Sequence, residues 1–193
     1  MFQRLYGWTM AKAAHPHAFW WLVAFSFAEA TFFPLPADVL LIPMVLAVRA
    51  RAWRLALACT VASVAGGCFG WLIGYFAFEE LGRPLLELYG AMDKMALARA
   101  EYDKFGELFV AIGAVTPVPY KVVTIASGFF QMDPASFALV SLIGRGVRYF
   151  AVAGAVYLFG PLIERFINRN VKLAFAVFAA LLLGGFVLVA WVL

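Results

Sequence analysis

An all-α integral membrane protein is the fold class this sequence predicts, and three observations carry the prediction. Hydrophobic residues make up 65% of the 193 and charged ones 13%, with a mean hydropathy of +0.91, which is far from the balance of a soluble domain. Leu55 to Phe78 and Leu173 to Leu193 contain no charge, and each reaches the ~20 residues that a spanning helix needs. Two further apolar stretches are broken by prolines and carry ionisable residues, which is the pattern of discontinuous membrane segments lining a polar site. Residues 1–193 are expected to form one membrane domain with two inverted re-entrant hairpin-plus-span repeats and an additional C-terminal transmembrane helix.

The elements follow in chain order. Residues 1–17 mix Phe2, Leu5, Tyr6 and Trp8 with Arg4, Lys12, His15 and His17, which suits an interfacial helix. That segment and the apolar run after it lack a small-residue cleavage site, so no cleaved signal peptide is expected. His15 and His17 flank Pro16 and cannot share a helical face, so no metal site is expected.

The first repeat is read as 18–78. Its opening run, Ala18 to Val48, exceeds one span and holds Pro34, Pro36 and Pro43, which stop it from being one straight helix. It is either a kinked span or a hairpin that enters and returns. Arg49, Arg51 and Arg54 mark the interface, and the helix from Leu55 to Phe78 follows. Gly66, Gly70 and Gly74 recur there at intervals of four, a spacing that lets helix backbones approach closely in a membrane. Cys59 and Cys68 fall on opposite faces of the same helix and are expected to be free thiols.

Residues 79–107 form an amphipathic polar linker lying on the surface and interrupted near Gly90. The second repeat is read as 108–163. Its broken segment, Leu108 to Met132, contains Pro117, Pro119 and Lys121, and Asp133 before Pro134 gives a helix start to a span reaching about Ile163. A basic linker with Arg165, Arg169 and Lys172 leads to the C-terminal span, 173–193.

Pro34-Leu35-Pro36-Ala37-Asp38-Val39 and Pro117-Val118-Pro119-Tyr120-Lys121-Val122 share the pattern P-x-P-x-charge-V. Each broken segment precedes one long helix, so hairpin plus span is the repeat unit. The distribution of Lys and Arg does not decide between re-entrant and spanning segments.

Five ionisable residues lie in apolar stretches: Glu29, Asp38, Lys121, Arg145 and Arg148. Each costs about 2.5 to 3.5 kcal/mol at a bilayer centre if left unpaired, so they must meet one another, water or a ligand. Arg145 and Arg148, three apart on a helix, leave from one face, and two such planar forks suit a phosphate. In the bland alternative the two acids simply neutralise the arginines as buried ties.

Glu29, Pro34, Pro36 and Asp38, then Thr116-Pro117-Val118-Pro119-Tyr120-Lys121, Ala126-Ser127-Gly128, and Arg145 with Arg148 resemble the DedA family, the VTT-domain or SNARE-associated Golgi type, and within it the YqaA-like bacterial branch. The resemblance spans roughly residues 20–160. It implies two facing re-entrant hairpins and movement of lipids between leaflets, with undecaprenyl phosphate and phosphatidylethanolamine as substrates of bacterial relatives. It also implies that Glu29 and Asp38 match the family's acidic pair. Members carry an arginine near Thr116 and another near Lys121; the first is absent here and the second is a lysine.

The expected function is therefore translocation of a phospholipid or polyprenyl phosphate across a bacterial inner membrane by a multi-pass protein, with protons as a candidate coupling ion. The phosphate would rest on Lys121, Arg145 and Arg148, while Glu29 and Asp38 form the acidic, proton-coupling site and Pro34, Pro36, Pro117 and Pro119 break the hairpins. The alternatives are a proton-coupled small-ion carrier or channel and a non-transporting assembly factor. No enzyme activity, cofactor or metal is expected, since Ser127 and Thr124 have no histidine within the apolar segments. The formal charge of +4 is scattered at segment ends, which suits lipid headgroups and not nucleic acid.

Overall fold

The computed structural model describes residues 17–33, 36–90, 92–116 and 119–169, and within these the regular structure is helical. The 1–17 helix apart from His17, the 173–193 span, Pro34 and Pro117 lie outside the described residues.

The first proline-broken run is two helices, α1 (Ala18–Thr31) and α2 (Asp38–Ala47). Pro36 stands just before α2, where a missing N–H costs nothing. A short 3₁₀ turn, Arg49–Arg51, leads into α3 (Ala52–Ala77). Helix α3 passes through a π-helical turn at Phe78–Gly82 into α4 (Arg83–Leu88). The chain breaks at Gly90, whose φ of 60° suits a residue without a Cβ, as the sequence pattern predicts. Then come α5 (Met92–Val115), α6 (Tyr120–Phe129) and α7 (Pro134–Arg169). Asp133 accepts from the Ser136 N–H at 2.7 Å, so the expected cap is made.

Two sequence boundaries need correction. The second half of the surface linker and the first arm of the second broken segment are one helix, α5, which runs unbroken from Met92 to Val115. The last described helix runs to Arg169, through part of the expected basic linker, since nothing after Pro161 terminates it.

Close contacts fix the running directions. A Cβ on Gly66 would lie 2.2 Å from the Phe27 carbonyl, and one on Gly70 would approach the Ala30 carbonyl. Sequence numbers rise together on both helices, so α1 and α3 run the same way, and α2, which links them in the chain, returns. On the same glycine stripe, Gly67 meets Tyr120, Gly70 meets Thr124 and Gly74 meets Ile125, which sets α6 parallel to α3. The stripe is the packing groove its spacing suggests.

In the second half Gly113 faces Val123 while Tyr102 bonds Ser127 at 2.7 Å, so α6 returns along α5. Gly144 meets Ala114, and α7 runs with α5. Across the middle, α3 and α7 are antiparallel, because Trp53 lies by Gly154, Ser63 by Arg145 and Arg49 by Gly160. Taking α1–α3 and α5–α7 as the two units, α1, α3 and α6 run one way and α5 and α7 the other.

Two helical stretches, Arg49–Leu88 and Pro134–Gly160, are long and apolar enough to cross a membrane. Their outer faces expose Val61, Phe76, Ile143, Val147 and Leu158, large apolar side chains turned away from the core. Cys59 and Cys68 are free thiols.

Candidate functional site

The break in each unit creates helix ends inside the protein, and helix ends carry partial charge. Helix α2 begins there, and both carboxylates gather at its N-terminus, where orphan N–H groups favour an anion. Asp38 is its first residue. Glu29, from the end of α1, accepts the Ala37 N–H at 3.4 Å. The opposite pole is the C-terminus of α5, where the Thr116 carbonyl accepts from Arg148 Nη1 at 2.9 Å.

Arg145 is the most buried ion, with none of its side chain exposed. Its Nη2 donates to Glu29 Oε2 at 3.0 Å and to the Tyr149 hydroxyl at 2.9 Å, and its Nε donates to Ser63 Oγ at 2.7 Å. The Tyr149 hydroxyl in turn donates to Glu29 Oε2 at 3.0 Å. The guanidinium carbon lies 4.6 Å from the centre of the Tyr120 ring and 4.9 Å from that of Tyr149, so aromatic faces add cation–π attraction. A charge without water survives only with such a set of partners.

Arg148 pairs through Nη2 with Asp38 Oδ2 at 2.6 Å. This pair sits nearer the edge, with side-chain exposures of 14% and 12%. Asp38 Oδ1 is buried without a hydrogen bond among the described residues.

Four of the five ionisable residues singled out in the sequence are thus brought together, acids from the first unit and bases from the second. Two expectations are corrected. The arginines do not converge on one point: each turns to its own acid, because a carboxylate lies within reach of each. Lys121 does not join them. Its neighbour Tyr120 takes the inward position, which leaves Lys121 about 100° round the helix. It has no side-chain hydrogen bond or ion pair with the described residues. Pro119 immediately precedes α6. Sequence reasoning missed Ser63, Tyr120 and Tyr149; only Tyr149, one turn beyond Arg145, was visible by spacing. Among the described residues no three His, Cys, Asp or Glu side chains gather as a metal site would need.

A family model for the VTT domain matches residues 35–158. The chain belongs to the VTT-domain, or DedA, family. Its members are generally membrane proteins proposed as transporters or flippases. The matched stretch of this VTT-domain chain holds Asp38, Lys121, Arg145 and Arg148, while Glu29 precedes it. An uncharacterized protein of Haemophilus influenzae is 35% identical over 153 residues, 79% of each chain. An uncharacterized homologue from Histophilus somni is 36% identical over 152 residues, again 79% of each chain. An uncharacterized protein of Methanocaldococcus jannaschii is 26% identical over 124 residues, covering 64% of this chain and 74% of its own. No solved structure matches.

Proposed function

We propose that this VTT-domain protein moves a phosphate-bearing lipid headgroup between leaflets through the seam where its two units meet. The observation that carries the reading is the Arg148–Asp38 pair. It joins one unit's return helix to the other's long helix, stands at the edge of the polar cluster, and leaves Asp38 Oδ1 without a partner among the described residues. A lipid phosphate offers Arg148 the same geometry as a carboxylate and can displace Asp38; protonation of Asp38 makes that exchange easier. Arg145 has a different part. Enclosed by Glu29, Ser63 and two tyrosines, it is the fixed post against which the seam opens.

In this reading the two units are an inverted pair and their broken segments are re-entrant, as the opposed helix directions favour. The sidedness follows. Arg49, Arg51, Arg54, the start of α1 and the far end of α7 share one end of the molecule, and by the positive-inside tendency it faces the cytoplasm of a bacterial inner membrane. The π turn with Glu79 and Glu80, α4 and the first part of α5 then face the other side.

The test is transbilayer movement of labelled phospholipid in vesicles. Arg148→Ala is expected to lower the rate at least tenfold in protein that remains folded. Undiminished movement in folded Arg148→Ala would refute the reading, and ion flux without lipid movement would favour a small-ion carrier. A second reading, a non-transporting assembly factor, gains from the fact that both arginines are already neutralised; no lipid movement by the parent protein would favour it.

A further inference from the structure

Away from the charged seam, α1 and the N-terminal half of α3 enclose an open groove of about 780 Å³, lined almost wholly by apolar atoms. Ala58, Ala62 and Ala65 lie along its α3 side, Trp20 and Phe27 along α1, and Arg54 stands at its mouth. We propose that the groove holds one acyl chain of an anionic phospholipid whose phosphate rests on Arg54, a resident lipid distinct from any lipid that is moved.

Length selects this occupant. Along α3 the groove runs from Arg54 to Ala65, which at about 1.5 Å per residue is about 16 Å. That is half of a hydrocarbon core of about 30 Å, the depth that one leaflet's chains reach. A spanning helix docked on this face would need a groove twice as long.

Charge selects the headgroup. Arg54 is exposed and makes no ion pair with the described residues. The 3₁₀ turn just before it adds Arg49 and Arg51, so no acid competes at the mouth. Trp53, 49% exposed and next to Arg54 in the chain, marks the interface level there, as aromatic rings do. On the α3 side Ala58, Ala62 and Ala65 leave room between the bulkier Leu57 and Val61. The proposal rests on the membrane reading alone and needs no transport.

Native mass spectrometry of the full chain in detergent, with phosphatidylglycerol or phosphatidylcholine added, tests it. One tightly held phosphatidylglycerol per chain is expected. Arg54→Gln should weaken its retention about fivefold, the factor one arginine contributes near an anionic surface, and weaken that of phosphatidylcholine, whose headgroup is neutral overall, by less. Ala58→Trp should displace both. Equal retention of the two lipids by the parent protein, or unaltered retention by Arg54→Gln, would overturn the proposal. A photoreactive residue at Val61 that adds to residues 1–16 and not to lipid would overturn it as well.

Discussion

Replacing Glu29 by Gln isolates the largely buried charge pair Arg145–Glu29. Arg145 is fully enclosed, and Glu29 is its one carboxylate partner among the described residues, held at 3.0 Å with 13% of its own side chain exposed. The amide keeps the shape and can still accept from Tyr149, but the guanidinium charge is then uncompensated where water cannot reach it. Breaking one side of a buried pair costs about 3 to 5 kcal/mol, a factor of some hundreds or more in the folded fraction. Asp38→Asn is the internal comparison. Arg148 is 14% exposed and keeps the Thr116 carbonyl, so its loss should be about 1.5 to 3 kcal/mol, the worth of one charged hydrogen bond. Unfolding in mixed micelles, followed by tryptophan fluorescence, measures both. Glu29→Leu combined with Arg145→Met should recover most of the stability, because a matched apolar pair leaves no buried charge. A Glu29→Gln loss no greater than that of Asp38→Asn, or a double variant as weak as the single one, would refute the reasoning.

The other predictions concern packing and local bonds. Gly74→Ala places a Cβ 2.0 Å from the Ile125 carbonyl and should prevent the α3–α6 contact, seen as loss of folded protein. Gly90→Ala meets open space and costs only its left-handed φ, about 1 kcal/mol in the same assay. Tyr149→Phe removes the hydroxyl shared by Arg145 and Glu29 and should cost about 1 to 3 kcal/mol in chemical unfolding. Asp133→Ala strips the cap of α7 for about 1 kcal/mol, read as a shift in thermal midpoint.

Much of this was legible in the residues for physical reasons. Prolines at 34, 36, 117 and 119 mark where helices must stop, so the two broken segments could be placed before their geometry was known. Glu29, Asp38, Arg145 and Arg148 stand out because apolar stretches tolerate charge only for a cause. Pairing was harder to read. Helical spacing says that Arg145 and Arg148 leave from one face; it does not say that acids from another unit wait for each, and so a shared phosphate looked natural. Lys121 misled for a related reason. Its place in the repeat matches that of Asp38, yet in α6 Tyr120 holds the inward position. Ser63 and Tyr120 carried no signal, because a serine in a glycine-rich helix and a tyrosine near a proline are ordinary until an arginine is found against them. The joining of the surface linker to α5 escaped notice since polar and apolar halves of one helix resemble two elements when only composition is read.

At the centre of the account is an exchange: a lipid phosphate takes the place of Asp38 on Arg148. Difference infrared spectroscopy of the protein in vesicles sees it directly, through the carboxylate bands of Asp38 with and without phosphate-headgroup lipid. A band shift is expected on adding that lipid, absent with a diacylglycerol and absent in Asp38→Asn. An unchanged Asp38 band in vesicles where lipid is crossing would contradict it.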